Sequence, residues 1–230
     1  MTGRQLHHAR KQAKRTQVEA AGDLGVTQAY LSMLEKGKRP VSDDLKRKVV
    51  HLFGFSPTQL PLGPPLTTRY LSDDELATDL ATLGYGGFSF LAPTQPKNPA
   101  EVLLHALDSE DRNARLVEAL PWLVLAFPEM DWENLVAAAK VNDLQNRLGY
   151  VTNVARRVAT FRKDKKTATL LRKREASLEG SRLLKEETLC RNNSMTETEK
   201  RWLKSHRPKS ARHWHLLTDL SPESVNYYVQ

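Results

Sequence analysis

The stretch Arg15–Val41, RTQVEAAGDLGVTQAYLSMLEKGKRPV, constrains the fold more than any other part of the chain. Gln17–Leu24 has helical spacing, with Val18, Ala21 and Leu24 at i, i+3 and i+6 forming a narrow apolar stripe. Ala21 is small enough to let a second helix cross closely. Gly25 stands where the chain must turn sharply, because glycine reaches positive φ without steric cost. Val26 is placed to fill the space between the helices. Thr27 is a good N-cap, since its hydroxyl accepts a bond from an orphan backbone N–H. Leu31 and Leu34 then face inward, which leaves Gln28, Ala29, Ser32 and Met33 near the outer surface with Tyr30 at its edge. Gly37 stops this helix, Lys36, Lys38 and Arg39 make the following loop basic, and Pro40 keeps the helix from resuming.

Two short helices around a glycine turn have the layout of a helix-turn-helix, which makes duplex DNA the first partner to consider. The exposed residues suit that partner chemically. Gln28 can pair bidentately with adenine in the major groove, Ala29 and Met33 offer apolar contact to a thymine methyl, and Ser32 can bond base or phosphate. Gln17 opens its helix where side chain and backbone N–H can meet a phosphate. Lys36, Lys38 and Arg39 supply the salt-dependent phosphate attraction. The candidate DNA-binding set is therefore Gln17, Thr27, Gln28, Ala29, Tyr30, Ser32, Met33, Lys36, Lys38 and Arg39. The plain alternative is a helical hairpin with a solvated basic loop. Against it stands the conjunction of Gln17, Ala21, Gly25, Thr27, Leu31, Leu34, Glu35 and Gly37 in one register.

Residues 4–60 resemble the Cro/lambda-repressor type of helix-turn-helix, the Xre family, through the motif TQVEAAGDLGVTQAYLSMLEKGKRP. The resemblance implies a five-helix domain whose third helix, Thr27–Leu34, enters the major groove, and binding as a homodimer to two-fold half-sites about one helical turn apart. It also implies a pair between an arginine on the first helix and the glutamate after the recognition helix, places held here by Arg10 and Glu35. Two positions depart from the pattern. Ala20 stands where a larger apolar residue is usual, and Gly22 lies inside the second helix, where glycine costs about 0.5–1 kcal/mol relative to alanine.

Charge is unevenly spread over the 230 residues, whose formal net charge is +8. Residues 1–50 carry 11 Lys/Arg against 5 Asp/Glu, residues 51–160 carry 8 against 13, and residues 161–230 carry 16 against 9. A basic head, an acidic middle and a basic tail imply zones with different partners, and the acidic middle is repelled by DNA. Cys190 is the one cysteine, so no disulfide forms within the chain and a cytoplasmic location is expected. No apolar run approaches the roughly 20 residues that span a bilayer, so no membrane partner is expected. The N-terminal MTGRQLHHARKQAKR lacks the apolar core of a secretory signal.

Beyond the motif, Ser42 caps an expected helix Asp43–Phe53, and Ser56-Pro57 starts a short helix through Leu60. PLGPPLTTR reads as a linker. The reading is all-α: an N-terminal helix-turn-helix domain at 1–60, a linker at 61–70, a domain of stacked antiparallel helices at 71–160 for oligomerisation or partner binding, and a basic helical tail at 161–230. Ser72 caps the first helix after the linker. Residues 84–91 read as a packed loop with a short extended piece at Phe88–Leu91. Helices follow from Pro99, over Asp108–Phe127 with Pro121 in or kinking it, and from Asp131 through Phe161. The last carries a long stripe of Leu135, Ala138, Val141, Leu144, Leu148, Val151, Val154 and Val158. Arg156–Arg174 holds nine Lys/Arg and one Asp. It is either a second nucleic-acid contact, a docking surface for an acidic partner, or a solvated face. A helix from Thr196 or Thr198 through Ser205 follows. Trp202, Leu203, Trp214, Leu216, Leu217, Val225 and Tyr228 are expected to dock back onto the middle domain.

Chemistry that would mark an enzyme is missing from the sequence. There is no HExxH, phosphate-binding loop or GxGxxG, and His213-Trp214-His215 lacks a third ligand at useful spacing. No metal, cofactor or catalytic residue is expected. The register of ALPWLVLAFPEMDWENLVAAAKVNDLQNRLGYVTNVARR resembles the C-terminal parts of Xre-type regulators encoded beside toxin genes, which implies a toxin protein as partner. The reading reached is a DNA-binding transcriptional regulator, an antitoxin-like autorepressor. The alternative is a stand-alone one-component repressor whose helical C-terminal region senses a small ligand or peptide.

Overall fold

Hydroxyl caps set the register of the first four helices. In α1 (Gly3–Gln12) and α2 (Gln17–Leu24), Thr2 and Thr16 each close a capping box, with Gln5 and Glu19. Thr27 caps α3 (Gln28–Glu35) and Ser42 caps α4 (Asp43–Phe53), whose first turn carries Asp43 and Asp44 where the helix dipole favours them. This is a computed structural model, and it describes residues 1–54, 56–60, 62 and 70–225. It divides into two compact units, Met1–Gly63 with Thr94–Asn98, and Pro64–Pro93 with Pro99–Gln230.

The first unit closes over Leu6, Ala9, Ala20, Ala21, Leu24, Leu31, Leu34, Val41, Leu45 and Val49, with Val26 and Phe53 packed against them. Two expectations change here. The buried stripe of α2 is Ala20, Ala21 and Leu24, while Val18 is 64% exposed. Positions 20, 21 and 24 fall within an arc of about 100° on a 3.6-residue helix, whereas position 18 lies outside it. The small Ala20 is therefore a core residue that lets its neighbours come close. The fifth helix is a single 3-10 turn, Pro57–Gln59, started by the Ser56 hydroxyl. Asn98 donates its side-chain amide to the Leu60 carbonyl at 2.7 Å, which fastens Thr94–Asn98 to this unit. The linker read at 61–70 lies outside the described residues except for Leu62 and Tyr70.

The second unit is built around a buried helix. Its elements are α5 (Asp73–Thr82), α6 (Pro99–Leu107), α7 (Ala114–Ala126), α8 (Trp132–Val141), α9 (Gln145–Phe161), α10 (Lys165–Glu179), α11 (Glu197–His206), α12 (Lys209–His213) and α13 (Pro222–Val225). A parallel pair of two-residue strands, β1 (Glu187–Thr188) and β2 (Leu216–Leu217), matches Glu187 with Leu216. α9 touches α7, α8, α10, α12 and α13, and it is buried on nearly every side from Gln145 to Ala155. α10 folds back along α9 as an antiparallel hairpin, bonded through Asn153 to Glu175 and Arg156 to Glu175.

Several polar residues forced inside α9 hold other segments in place. Asn146 donates to and accepts from the backbone of Leu183. Arg147 donates to the carbonyls of Leu107 and Ser109, both at 2.8 Å, and pairs with Glu187. Arg112 does the same for the loop before α7, reaching the carbonyls of Leu71 and His105. Each guanidinium bonds one carbonyl at the C-terminal end of α6 and one in an adjoining loop. At Gly149 the helix backbone lies against the face of the fully buried Trp214, in the space a Cβ would occupy.

Several boundaries differ from the sequence reading. Asp108–Asn113 is a loop, because the Ser109 hydroxyl bonds the Asp111 backbone on both sides and the Arg112 amide bonds Cys190. The expected helix Asp108–Phe127 thus shortens to α7, which carries Pro121 inside it. The run from Trp132 to Phe161 breaks at Asn142–Leu144, where Asp143 adopts a left-handed φ of 57°, and Val141 is 83% exposed rather than part of a stripe. Residues Gly86–Phe88 form a 3-10 turn in place of an extended piece, with the Phe88 ring edge-on to Tyr85. Of the tail residues expected to dock, Trp202 stays exposed and stacks on His206, while Leu203, Trp214, Leu216, Leu217 and Val225 are buried. Tyr228 lies outside the described residues.

Two glycine-to-alanine substitutions should move stability in opposite directions. A Cβ at Gly22 meets nothing within 4 Å, so Gly22→Ala should stabilise the first unit by about 0.5–1 kcal/mol. Gly149→Ala must displace Trp214 and should cost about 1–3 kcal/mol. Chemical denaturation followed by circular dichroism checks both.

Candidate nucleic-acid interface

The turn between α2 and α3 is built by glycine and valine. Gly25 has φ 71°, its amide bonds the Gly22 carbonyl, and the Val26 amide bonds Ala21. This is a Schellman closure, in which the residue after the glycine folds back onto the helix it follows. Val26 packs into the core at this corner. The far end of α3 closes the same way, with Lys38 N–H on the Met33 carbonyl at 2.9 Å and Gly37 N–H on that of Leu34 at 3.0 Å.

α3 is consequently two-faced. Leu31, Leu34 and Glu35 are buried, whereas Gln28, Ala29, Tyr30 and Met33 are exposed and Ser32 is half-buried. Thr27 is exposed and uses its hydroxyl to cap the helix at the Tyr30 amide, 3.2 Å away. Lys36, Lys38 and Arg39 are exposed just beyond the helix and have no ion pair among the described residues. The candidate residues Thr27–Arg39 thus lie together around one helix face and its C-terminal loop. Gln17 behaves differently from its sequence reading. Its side-chain amide points inward and donates to Glu35 at 2.9 Å.

Glu35 is the anchor of this arrangement. Arg10 on α1 grips its carboxylate with two donors, Nε at 2.6 Å and Nη2 at 2.9 Å, and sends a third bond to the Arg15 carbonyl. His7 Nδ1 lies 3.1 Å from both Glu35 and Arg10. Burial on its own pushes the Glu35 carboxyl up. Hydrogen bonds from Arg10, Gln17 and His7, together with the Arg10 charge, outweigh burial and hold it at about 2. The sequence reading missed His7 and the inward turn of Gln17. The spacing His7–Arg10, one turn apart on α1, was the available signal for the first.

With no exposed carboxylate on the outer face of α3, a short helix bearing Gln, Ser and small apolar groups is presented beside three free cations. An α-helix with its side chains is about 10–12 Å across, which the major groove, about 12 Å wide, admits. This geometry defines a helix-turn-helix DNA-binding domain. A family model described as a helix-turn-helix domain matches residues 2–62, the same segment. No curated protein and no solved structure matches the chain. Among the described residues, no helix is long and apolar enough to cross a membrane, and no group of three or more His, Cys, Asp and Glu could hold a metal ion. His213 is engaged with Glu179 at 2.9 Å.

Removing Arg10 leaves Glu35 buried with its strongest partner gone. Arg10→Ala should therefore cost about 3–5 kcal/mol near neutral pH. The parent's stabilisation from Glu35 is complete above its ordinary value of 4.5 and fades as pH falls towards about 2. The difference between parent and variant should accordingly narrow over that window, as urea denaturation across pH 7 to 3 will reveal.

Proposed function

We propose that the chain is a sequence-specific, DNA-binding transcriptional regulator whose α3 lies in the major groove. The observation that supports this most is the exposed face of Gln28, Ala29, Ser32 and Met33, flanked by the unpaired Lys36, Lys38 and Arg39 and held by the Arg10–Glu35 grip. In this reading Gln28 pairs with adenine, Ala29 and Met33 meet thymine methyls, and Ser32 and Tyr30 bond at the groove edge. Thr27 and the Gln17 backbone N–H approach phosphates, and the three cations neutralise others. A homodimer would place two such helices on half-sites about one helical turn apart.

For the second unit we favour holding a protein partner, in the manner of an antitoxin-like autorepressor that binds a toxin encoded beside it. Phe90, Val141 and Leu184 stand 75%, 83% and 86% exposed on its surface, single apolar groups available to a partner. Two clefts formed by described residues, of about 190 and 210 Å³, are lined by mixed polar residues such as Glu118, Arg191, Asp108 and Arg147. Both fall below the roughly 300–1,000 Å³ of pockets that enclose drug-sized ligands.

Selection of bound sequences from random duplexes, followed by titration, tests the DNA reading. Gln28→Ala should lose about 1–3 kcal/mol of specific affinity. Lys38→Ala should weaken all duplexes alike and lower the log–log salt slope by about one. Parent-like binding by both variants would refute the assignment of α3. Co-expression with the flanking genes addresses the second unit. A stoichiometric co-purifying protein is expected, and recovery of the chain alone as a promoter-binding dimer would favour the stand-alone repressor.

A further inference from the structure

The charge of α10 is sorted by face. Ala168, Leu171, Glu175 and Leu178 are buried against the rest of the unit, and Lys165, Lys166, Thr169, Arg172, Lys173 and Ala176 are exposed. Glu175 is buried away from the exposed side, while Glu179, seven residues beyond Arg172 and on the same side, is partly exposed but engaged by partners of its own. Glu175 accepts from Asn153 and Arg156 at 2.7 and 2.6 Å, and Glu179 is held by Arg182 and His213. Asp164 spends its carboxylate capping the helix at the Thr167 amide. Lys166 reaches Glu129 at 3.5 Å with both side chains largely in solvent, which neutralises little. Lys163, Lys165, Arg172 and Lys173 have no carboxylate partner among the described residues.

We propose that this face is a second, sequence-independent DNA contact, in which Lys163, Lys165, Arg172 and Lys173 lie along the phosphate backbone of a duplex. Lys165 and Arg172 are seven residues apart, as are Lys166 and Lys173, a run of about 10.5 Å along the helix. The same length of duplex carries roughly six phosphate charges. Thr169 and Ala176, the other exposed residues of the stripe, are small and let a backbone approach. Protein interfaces concentrate affinity in Trp, Tyr and Arg anchors, and the exposed residues of the stripe include no aromatic one. Single strands need a series of aromatic platforms, and Phe161 at the end of α9 is one ring. The free cations of the stripe therefore suit a duplex backbone best. The proposal rests on the reading of the chain as a duplex-DNA binder, and it adds affinity without base preference.

The full-length chain carrying Lys163→Gln, Lys165→Gln, Arg172→Gln and Lys173→Gln tests this against the parent. The probes are a duplex trimmed to the selected site, the same duplex extended on both sides, and a random-sequence duplex of the extended length. These are solvent-facing positions, and circular dichroism verifies the fold. The variant should lower the log–log salt slope on both longer duplexes by about three to four, since each lost phosphate contact removes about 0.9. The order of preferred sequences should not change. A charge-matched control, Arg115→Gln, Lys185→Gln, Arg201→Gln and Lys209→Gln, should keep the parent's slope. A parent-like slope in the α10 variant would overturn the proposal, and so would an equal fall in both four-residue variants. A failure of the α3 reading shows up elsewhere, as Gln28→Ala leaving sequence preference intact, and the random duplex still reports on α10 in that case.

Discussion

A buried carboxylate gripped by a buried guanidinium sets the geometry of the first unit. α3 is two turns long, too short to be a stable helix by itself in water. Its orientation comes from Leu31 and Leu34 in the core and from Glu35 at its last turn, which ties it to α1 through Arg10 and to α2 through Gln17. Three helices thus meet on one side chain. The strength of the arrangement lies less in net attraction, since taking both charges out of water is expensive, than in the penalty for any other arrangement. A helix that must present its outer side chains in a fixed frame gains from that intolerance.

The second unit uses the same device on loops. Arg147 and Arg112 bond the carbonyls of Leu107 and His105 at the end of α6 and those of Ser109 and Leu71 in loops, which ties these loops to the helices beside them. The Asn146–Leu183 pair fastens the segment after α10 in the same manner. Cys190 sits deep in this region, where burial pushes its thiol up to about 11 and leaves it a neutral packing group.

Local chemistry was the legible part of this chain. Thr27, Ser42, Ser72 and Thr196 cap the helices assigned to them, and Gly25 and Gly37 take the left-handed turns expected. The two faces of α3 could be read because a short motif contains both the apolar contacts and their periodicity. What misled was a choice between registers. Val18 and Ala20 both fit an apolar stripe on α2, and only the closeness of the neighbouring helices selects the alanine. The unbroken pattern through Asn142–Leu144 hid a turn, because Ala138 and Ala139 serve either phase and the side chain of Asn142 bonds back to Ala138. Gln17 was misplaced for a tertiary reason: its partner is eighteen residues away. The strand pair joins positions whose sequence carries no alternation at all.

Gly149 and Trp214 also fix an order of events. A chain emerging from its N-terminus presents α9 long before the indole that fills the hollow beside it. Until that tryptophan arrives, the central helix of the second unit has a side with nothing to lie against, and its packing stays provisional. The first unit, whose core closes within its own helices, has no such wait. Synthesis would thus deliver the first unit before the second can close, so a protein cut short before Trp214 would keep its head and lose its body.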